Sequence, residues 1–511
     1  MRVMLGKRLL LVAGVLAALL SPTGSARGFF GGGPPSVYSV GAAVRDITPD
    51  GPINVGGNGL GDGSSPVPGL DEAHVRSPGA ERIAVRALVV DTAVIADIET
   101  QGMFAAYKNA VGNYGLSDIA AAVSARRPEL QPASMIIASD HSHSGPDTIG
   151  AWGFVPESYM QKVFNAAVDA IVAAYDARVD AHLGVGESLA NDLVYNQNCL
   201  EALNQSPEPV YTGPEFCNVP DQSSKDAKVR VVQARAVDGG SVVATLVSYN
   251  AHATLGGADG VHGDWPQFLS DRLTAVYGGV GIAMQGSVGR VQPCRPQCSF
   301  TNASQFGSAE GRKDKYVTAL MGHVAKALAA PGAVRGPVLG RQTIIREPIT
   351  SPTVLALFAG GQHVGAELRR ADTAPWLVGN VIGTPVSSLA IGNLFVSGYP
   401  GEAYPNIALG VQEAMKPAPA NPPVRSDRFF LPLGLANDQI GYLIAPAEAY
   451  PMVAAEVGVN DNSIFNVSPT VGDHVMCAAI AHADALYGGV TVPPRCAAYG
   501  ASDTVIAPRL P

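Results

Sequence analysis

Short continuous apolar runs alternate along this chain with longer stretches that carry apolar residues at helical spacing. "RALVVDTAVIADIE" (86–99) predicts two short strands, and "KVRVVQARAVDGGSVVATLVSYNAHA" (228–253) predicts a hairpin that turns at Asp238-Gly239-Gly240. Helical spacing predicts a helix with Ser117 as N-cap that stops before Pro128, and others over 157–179, 308–330, 404–415 and 471–486. No repeat period or long polar linker interrupts the pattern. We therefore expect one large α/β domain over residues 37–511, with mixed β-sheets flanked by helices.

The amino-acid composition indicates that the chain can bury a large core. Hydrophobic residues make up 47%, charged residues only 15%, and mean hydropathy is +0.16. The 58 Gly and 39 Pro indicate many turns between short elements. The net charge is −9 and the Lys and Arg residues form no cluster, which argues against a nucleic-acid-binding surface.

The first 26 residues have the layout of a secretory signal peptide. Arg2, Lys7 and Arg8 precede an apolar run from Leu9 to Leu20, and small residues end at Ala26. An uncleaved membrane anchor is the alternative, although the run is short for a membrane span. No later segment has 18 uninterrupted apolar residues, so we expect a secreted protein with a flexible lead-in at 27–36.

The six cysteines agree with export and with disulfide bonds. We expect three local pairs that close short surface loops: Cys199 with Cys217, Cys294 with Cys298, and Cys477 with Cys496. A zinc knuckle is the alternative, but only Cys294 and Cys298 are close and no histidine lies beside them.

Four polar residues follow or interrupt apolar strand-like runs. "SMIIASDHSH" ends a strand at His141, "VVATLVSYNAH" at His252, "SSLAIGNLFVSGYPGE" at Glu402, and "NDQIGYLIAP" contains Tyr442. Two histidines and a carboxylate suit catalytic zinc with one position left for water. Each residue also has an ordinary interpretation: a hydrogen-bonded loop histidine, a helix-capping glutamate, or a core tyrosine.

Five motifs occur in an order that resembles the neutral (non-lysosomal) ceramidase family. They are "VGAAVRDITPD", "IIASDHSHSGPDT", "VSYNAHAT" followed by "GDWP", "VSGYPGE" and "LANDQIGYLIAPAEAY", from about residue 38 to 450. These enzymes are zinc amidases of sphingolipid metabolism that cleave the N-acyl bond of ceramide. The resemblance implies Zn²⁺ held by His141, His252, Glu402 and Tyr442, with His143 lining the site. On an extended segment, His141 and His143 would face one side.

The chain departs from the family pattern at several positions. Where the family has Gly-Asp-Val-Ser-Pro-Asn, this chain reads "QGSVGRVQPCRP", so that Gln292 stands in place of a serine proposed to be catalytic and Arg290 in place of the aspartate. Ser287 lies nearby, outside the aligned register. Gln197 stands where the family has an arginine. Residues 443–511 leave no room for the C-terminal immunoglobulin-like domain of many family members.

We therefore expect a secreted zinc amidohydrolase that cleaves ceramide or a related N-acyl lipid with zinc-bound water as nucleophile. His143, Gln292 and Tyr442 are the expected catalytic groups. The expected partner is a lipid-like N-acyl substrate, reached through transient contact with a membrane surface, with no obligate protein partner. The alternatives are a non-catalytic, metal-stabilised extracellular binding protein and an esterase on the same scaffold.

Overall fold

The computed structural model describes residues 34–57, 75–107, 112–153, 155–196, 225–256, 260–293, 309–354, 377–378, 381–416, 428–445, 465–499 and 504–506. Residues Pro35–Pro511 form one compact unit. The expectations for the signal peptide (1–26), the Cys199–Cys217 and Cys294–Cys298 pairs and Gln197 fall outside the described residues. Among the described helices, none is long and apolar enough to cross a membrane.

The strands, in chain order, are β1 (Tyr38–Asp46), β2 (Ile53–Asn54), β3 (Val75–Arg76), β4 (Ala84–Val90), β5 (Ala93–Ile98), β6 (Met135–Ser139), β7 (Val179–Leu189), β8 (Val194–Asn196), β9 (Lys228–Ala236), β10 (Val242–Tyr249), β11 (Val280–Gln285), β12 (Val291–Pro293), β13 (Gly332–Ala333), β14 (Val338–Pro348), β15 (Leu377–Val378), β16 (Val381–Ile391), β17 (Leu394–Gly398), β18 (Glu402–Ala403), β19 (Phe429–Leu433), β20 (Tyr442–Leu443) and β21 (Thr504–Ile506). The two strands within 86–99 and the hairpin of β9 and β10 are confirmed.

The helices are α1 (Leu116–Arg126), α2 (Glu157–Asp176), α3 (Asp264–Tyr277), α4 (Ala309–Leu328), α5 (Pro405–Ala414) and α6 (Val471–Tyr487). All five helices predicted from the sequence are present. The predicted N-cap of α1 is wrong by two residues, because Gly115 is the N-cap and its N–H donates to the Asp118 carboxylate. Helix α3 follows "HG" with Trp265-Pro266 in its first turn, a position that proline tolerates.

Two mixed sheets make up the framework. The first has nine strands in the order β11-β10-β9-β7-β1-β4-β5-β6, with β13 paired to β7, and it is antiparallel except for the β10/β11 and β5/β6 pairs. The second has six strands in the order β19-β17-β16-β14-β21, with β15 paired to β16 and β17/β19 parallel. The mixed α/β fold class is thus confirmed.

The two sheets pack face to face and helices cover their outer faces. Leu88, Ile95 and Ile136 of the first sheet meet Leu389 and Val396 of the second in one apolar cluster. The outer face of the first sheet packs on α1, α2, α3 and α4, and that of the second on α5 and α6. Strands β4, β5 and β6 are therefore buried along their whole length, because both of their faces are covered.

One disulfide bond joins the C-terminal elements. Cys477 on α6 is bonded to Cys496, as the sequence predicted for this pair. It closes a loop with a sequence separation of 19 residues. The bond fixes the segment around Cys496 against α6, on the outer face of the second sheet.

The strands that lead to the candidate site end earlier than the sequence predicted. Strand β6 ends at Ser139 and β10 at Tyr249, and Glu402 lies in the separate two-residue strand β18 rather than at the end of β17. The cause at β6 is backbone conformation, because His141 has φ +51°, which a strand residue cannot adopt. His141 and His252 consequently lie on loops that follow strand ends, whereas Glu402 and Tyr442 lie in the two-residue strands β18 and β20.

Candidate metal centre

His141 begins the loop that follows β6, and its backbone is in the left-handed region. Such a conformation is uncommon for a residue other than glycine and persists where the surroundings impose it. The buried ring donates its Nδ1–H to the backbone carbonyl of Gln101 over 2.8 Å. Because that carbonyl can only accept, the proton of the neutral ring is on Nδ1 and Nε2 presents a lone pair.

His252 lies on the loop that follows β10 and has the same tautomer for the same reason. Its Nδ1–H donates to the backbone carbonyl of Val291 over 2.8 Å, and its own N–H donates to that carbonyl over 3.0 Å. The indole N–H of Trp265 donates to the carbonyl of His252 over 3.0 Å. One hydrogen bond thus orients the ring and two hold its backbone, and Nε2 faces the Glu402 carboxylate.

The carboxylate of Glu402 faces both of these Nε2 atoms. Its Oε1 lies 3.4 Å from Nε2 of His141, and its Oε2 lies 2.9 Å from Nε2 of His252. Burial alone would raise the pKa of Glu402, but His141 and His252 bring it well below the usual range. Burial lowers and Glu402 raises the pKa of His141, and the net direction is upward. Both pKa shifts indicate that a positive charge next to the Glu402 carboxylate is strongly favoured.

This arrangement fits a metal ion. Two nitrogen lone pairs and a carboxylate in one buried place repel one another unless a cation lies among them. Nitrogen and oxygen ligands at about 2.0–2.1 Å from a tetrahedral zinc are separated from each other by about 3.3 Å. The nitrogen–oxygen distances of 3.4 and 2.9 Å are close to that separation.

Tyr442 lies beside Glu402 because β18 and β20 pair in parallel with Glu402 opposite Tyr442. The phenol lies close enough to the Glu402 carboxylate for the two groups to interact electrostatically. Burial, followed by Glu402, raises the pKa of Tyr442 well above its ordinary value, although the residue as a whole is partly exposed. The phenol oxygen is therefore within reach of the ion that the other three groups would hold.

His143 completes a group of three histidines. The ring centroids of His141 and His143 are 5.0 Å apart, those of His143 and His252 are 5.7 Å apart, and the nearest ring nitrogens of all three lie within 4.8 Å of one another. The left-handed backbone of His141 shows that the extended-segment argument for this pair was wrong, although the two rings do meet. His143 is partly exposed, unlike its two neighbours, and can therefore meet a substrate.

The fold and this cluster can now be compared with known proteins. No family model and no curated protein matches the sequence. Solved structures that match the fold include a ceramidase complexed with C2, with a TM-score of 0.64 and 17% identity over 89% of this chain and 76% of that one. They also include the neutral ceramidase of Pseudomonas aeruginosa, with a TM-score of 0.63 and 16% identity over 93% of this chain and 78% of that one. The chain has a neutral ceramidase-like fold. At these identities the likeness establishes the fold alone.

Within this ceramidase-like fold, Gln292 lies in β12, which pairs with β8. The hydroxyl of Thr254 donates to Oε1 of Gln292 over 2.8 Å, which orients the side-chain amide. Strand β12 therefore connects a predicted metal ligand with a predicted catalytic residue. The Val291 carbonyl accepts from the His252 ring, and the Gln292 side chain is bonded to Thr254 on the loop that carries His252. Arg290 lies close enough to Tyr442 to oppose the rise in the pKa of that phenol.

Sequence reasoning missed three buried amides around this site. They are Gln101, whose carbonyl holds His141; Gln439, whose Nε2 lies 3.5 Å from Oε1 of Glu402; and Asn466, which pairs with Tyr442 through the backbone. Asparagine and glutamine have no periodicity or motif in these segments that indicates a site. Gln439 stands three residues before Tyr442, which is the single sequence feature that could have drawn attention to it.

Proposed function

We propose that the protein is an exported, zinc-dependent hydrolase that cleaves the amide bond of ceramide or a related N-acyl lipid. The observation that carries the proposal is the convergence of the His141 and His252 Nε2 atoms on the Glu402 carboxylate, with both Nδ1 atoms bonded to backbone carbonyls. Hydrolysis of an amide needs an electrophile for the carbonyl, a nucleophile and a proton carrier. The ceramidase-like fold, with one match complexed with C2, supports an N-acyl lipid as the substrate class.

His141, His252 and Glu402 would hold the ion, with the Tyr442 phenol as a fourth ligand. When bound, zinc polarises a carbonyl and brings the pKa of a water near neutrality. The backbone carbonyls of Gln101 and Val291 fix the two imidazoles so that their Nε2 atoms need not reorganise during the reaction.

His143 is the group that carries protons in this proposal. Its ring lies against those of His141 and His252 and is partly exposed, so it can exchange a proton with both substrate and solvent. Gln292 orients the substrate carbonyl. Its Oε1 accepts from Thr254, which fixes the orientation of the side-chain amide.

Export is part of the same proposal. The basic, apolar and small-residue order of residues 1–26 supports it, and so does the Cys477–Cys496 disulfide, since such bonds persist in oxidising compartments. Amino-terminal sequencing of protein recovered from the medium tests it. A mature chain that begins near residue 27 is expected, and an intact Met1 in secreted material contradicts cleavage.

The test of the activity is a hydrolysis panel of N-acyl amides and matched esters, run alongside measurement of zinc content. We expect one zinc ion per chain and turnover of an amide that a chelator abolishes and added zinc restores. Turnover of esters alone would favour the esterase. Zinc-loaded protein that hydrolyses neither class would favour the binding protein, and activity that survives complete metal removal would overturn the mechanism.

A further inference from the structure

The two loops that carry the histidines of the candidate metal centre contact each other directly. The His141 loop (residues 140–144) follows β6, and the His252 loop (residues 250–256) follows β10. Ser142 pairs in parallel with Ala253, and the N–H of His143 donates to the carbonyl of Ala253 over 3.0 Å. The position of one proposed histidine ligand relative to the other therefore depends on what holds these loops together.

The segment that leads into α3 lies against both loops. The hydroxyl of Ser142 donates to the carbonyl of His262 over 2.7 Å, and the N–H of His262 donates back to a carbonyl of the His141 loop over 3.0 Å. Three residues further on, the indole N–H of Trp265 donates to the carbonyl of His252 over 3.0 Å. The segment is thus bonded to the His141 loop at one end and to His252 itself at the other.

Asp264 connects this segment to the end of the His252 loop. Its carboxylate accepts the N–H groups of Leu255, over 3.2 Å, of Gly256, and of Trp265, over 2.6 Å. Its own N–H donates to Nδ1 of His262 over 3.1 Å. The residue is 0% exposed and has φ +54°, a conformation that persists where the surroundings impose it. These hydrogen bonds fix the start of α3 relative to the His252 loop.

Gly256 shows how closely the loop approaches Asp264. A Cβ at Gly256 would lie 2.7 Å from Oδ2 of Asp264 and 2.2 Å from Cε1 of His262, so the loop backbone lies directly on the carboxylate. Hydrogen bonds from backbone N–H groups to a carboxylate are about twice as strong as those between neutral groups. An asparagine at this position would keep one accepting oxygen and would turn an NH₂ group, which cannot accept, towards an N–H donor.

We infer that Asp264 is a positioning residue of the candidate metal centre, which holds the His252 loop against the His141 loop and so sets the separation of the two proposed histidine ligands. The inference rests on the proposed function and adds to it a residue that contacts neither metal nor substrate. The same loop carries Thr254, which orients Gln292. The position of Asp264 should therefore affect both zinc affinity and the rate of hydrolysis.

The experiment compares Asp264→Asn with Asp147→Asn in the full-length protein. Asp147 is the matched control, because it is also 0% exposed and its carboxylate also accepts backbone N–H groups, those of residues 150–152. These residues hold no proposed ligand. The zinc dissociation constant is measured by competition with a chelator, and kcat on the best amide substrate. Hydrogen–deuterium exchange is measured at the His143 amide in the metal-free protein, and thermal unfolding compares stability.

A third variant, Trp265→Phe, tests the same segment with a smaller change. It removes the indole N–H that His252 accepts and keeps an aromatic ring next to Tyr249 and Tyr316, whose ring centroids lie 6.0 and 6.3 Å from that of Trp265. Its loss of zinc affinity should be smaller than that of Asp264→Asn, because one hydrogen bond is removed and the carboxylate stays in place.

We expect Asp264→Asn to weaken zinc binding and to lower kcat, each by about 10- to 100-fold, as is typical when a group that orients metal ligands is removed. The His143 amide should exchange faster in the metal-free protein, because its acceptor on the His252 loop is no longer held. Asp147→Asn should lose similar stability and keep wild-type zinc affinity and wild-type exchange at His143. Equal zinc affinity and equal exchange in the two variants would show that Asp264 is merely structural and would overturn the inference.

The exchange measurement separates this inference from the proposed function. If the wild type binds no zinc or hydrolyses no amide, the proposed function fails, and exchange in the metal-free protein decides the inference alone. Faster exchange at His143 in Asp264→Asn but not in Asp147→Asn then supports it, and identical exchange overturns it. If Asp264→Asn does not fold, Trp265→Phe decides in its place: faster exchange at His143 supports the inference, and wild-type exchange overturns it.

Discussion

Two buried glutamates in this protein each meet histidine, and the difference between them distinguishes a structural contact from the candidate metal centre. Glu347 lies 3.0 Å from Nδ1 of His474, and Glu402 lies 2.9 Å from Nε2 of His252. Both carboxylates are nearly inaccessible, at 3% and 5% exposure. Burial and proximity therefore do not tell the two clusters apart.

The hydrogen-bonding partners of the two carboxylates distinguish the two clusters. Glu347 also accepts the hydroxyls of Ser468, over 2.7 Å, and Thr470, so its charge is met by protein donors. The Ser468 hydroxyl in turn accepts from the N–H of Val471, the first residue of α6. Glu347 thus fixes the start of a helix. Glu402 faces the Nε2 atoms of two rings that already donate their Nδ1–H to backbone carbonyls, so its charge is met only by a bound cation or by protonation of these rings.

The largest expected effect comes from replacing each glutamate with alanine. Glu402→Ala should lose zinc and all measurable hydrolysis, because it removes the carboxylate that both Nε2 atoms face. Glu347→Ala should lose about 3–5 kcal/mol of stability, because one partner of a buried pair is removed, and keep one zinc per folded chain. Metal analysis of the folded fraction and thermal unfolding measure both. Zinc loss in Glu347→Ala, or its retention in Glu402→Ala, would contradict the distinction.

Sequence patterns were sufficient for five of the six described helices, for the mixed sheets and for the position of His141 and His252 just after strands, because periodicity reports which faces are buried. They missed α3, and they could not supply the pairing of Glu402 with Tyr442, which joins two short strands 40 residues apart. Nor could they supply the partners of Glu347, which lie more than 120 residues away. Such contacts are fixed by how the sheets and helices pack, and the local sequence of either partner has no signal for them.

Gln292 gives the next largest effect. If its amide orients the substrate carbonyl, Gln292→Ala should lower kcat by roughly 10²–10³, as for one lost oxyanion donor, and leave zinc content unchanged. Thr254→Val removes the hydroxyl that orients the amide and should give a smaller loss of the same kind. Steady-state kinetics on the best amide substrate measure both. Full activity in Gln292→Ala would exclude it from the reaction.

Gly57 allows a test of His143 without altering any polar side chain. Its backbone has φ +95°, and a Cβ there would lie 2.4 Å from Cγ of the His143 ring, so the ring or the loop must shift. Gly57→Ala should lower kcat about 10- to 100-fold, since small misplacements of a catalytic group are costly. Zinc content should not change, because the three atoms nearest to the added Cβ all belong to His143, which is not one of the proposed ligands. The matched control is Gly51→Ala, where an added Cβ meets nothing within 4 Å. Equal kinetics for the two variants would contradict a proton-carrying role for His143.

The smallest effect is the pH dependence of the structural cluster. Burial raises the pKa of Glu347, but His474, Thr470 and Ser468 lower it further, so the net pKa lies below the ordinary value. A carboxyl group whose pKa is lower in the folded state stabilises the fold above its unfolded pKa, and this contribution is lost as pH falls through the folded pKa. Glu347→Gln should therefore cost about 1 kcal/mol at neutral pH. The difference from wild type should shrink as pH falls below about 4.3, the ordinary glutamate value. Denaturant unfolding at pH 7, 5 and 3.5 measures this difference. A gap that stays constant over this range would show that the charge of Glu347 contributes nothing, and that its hydrogen bonds alone hold the start of α6.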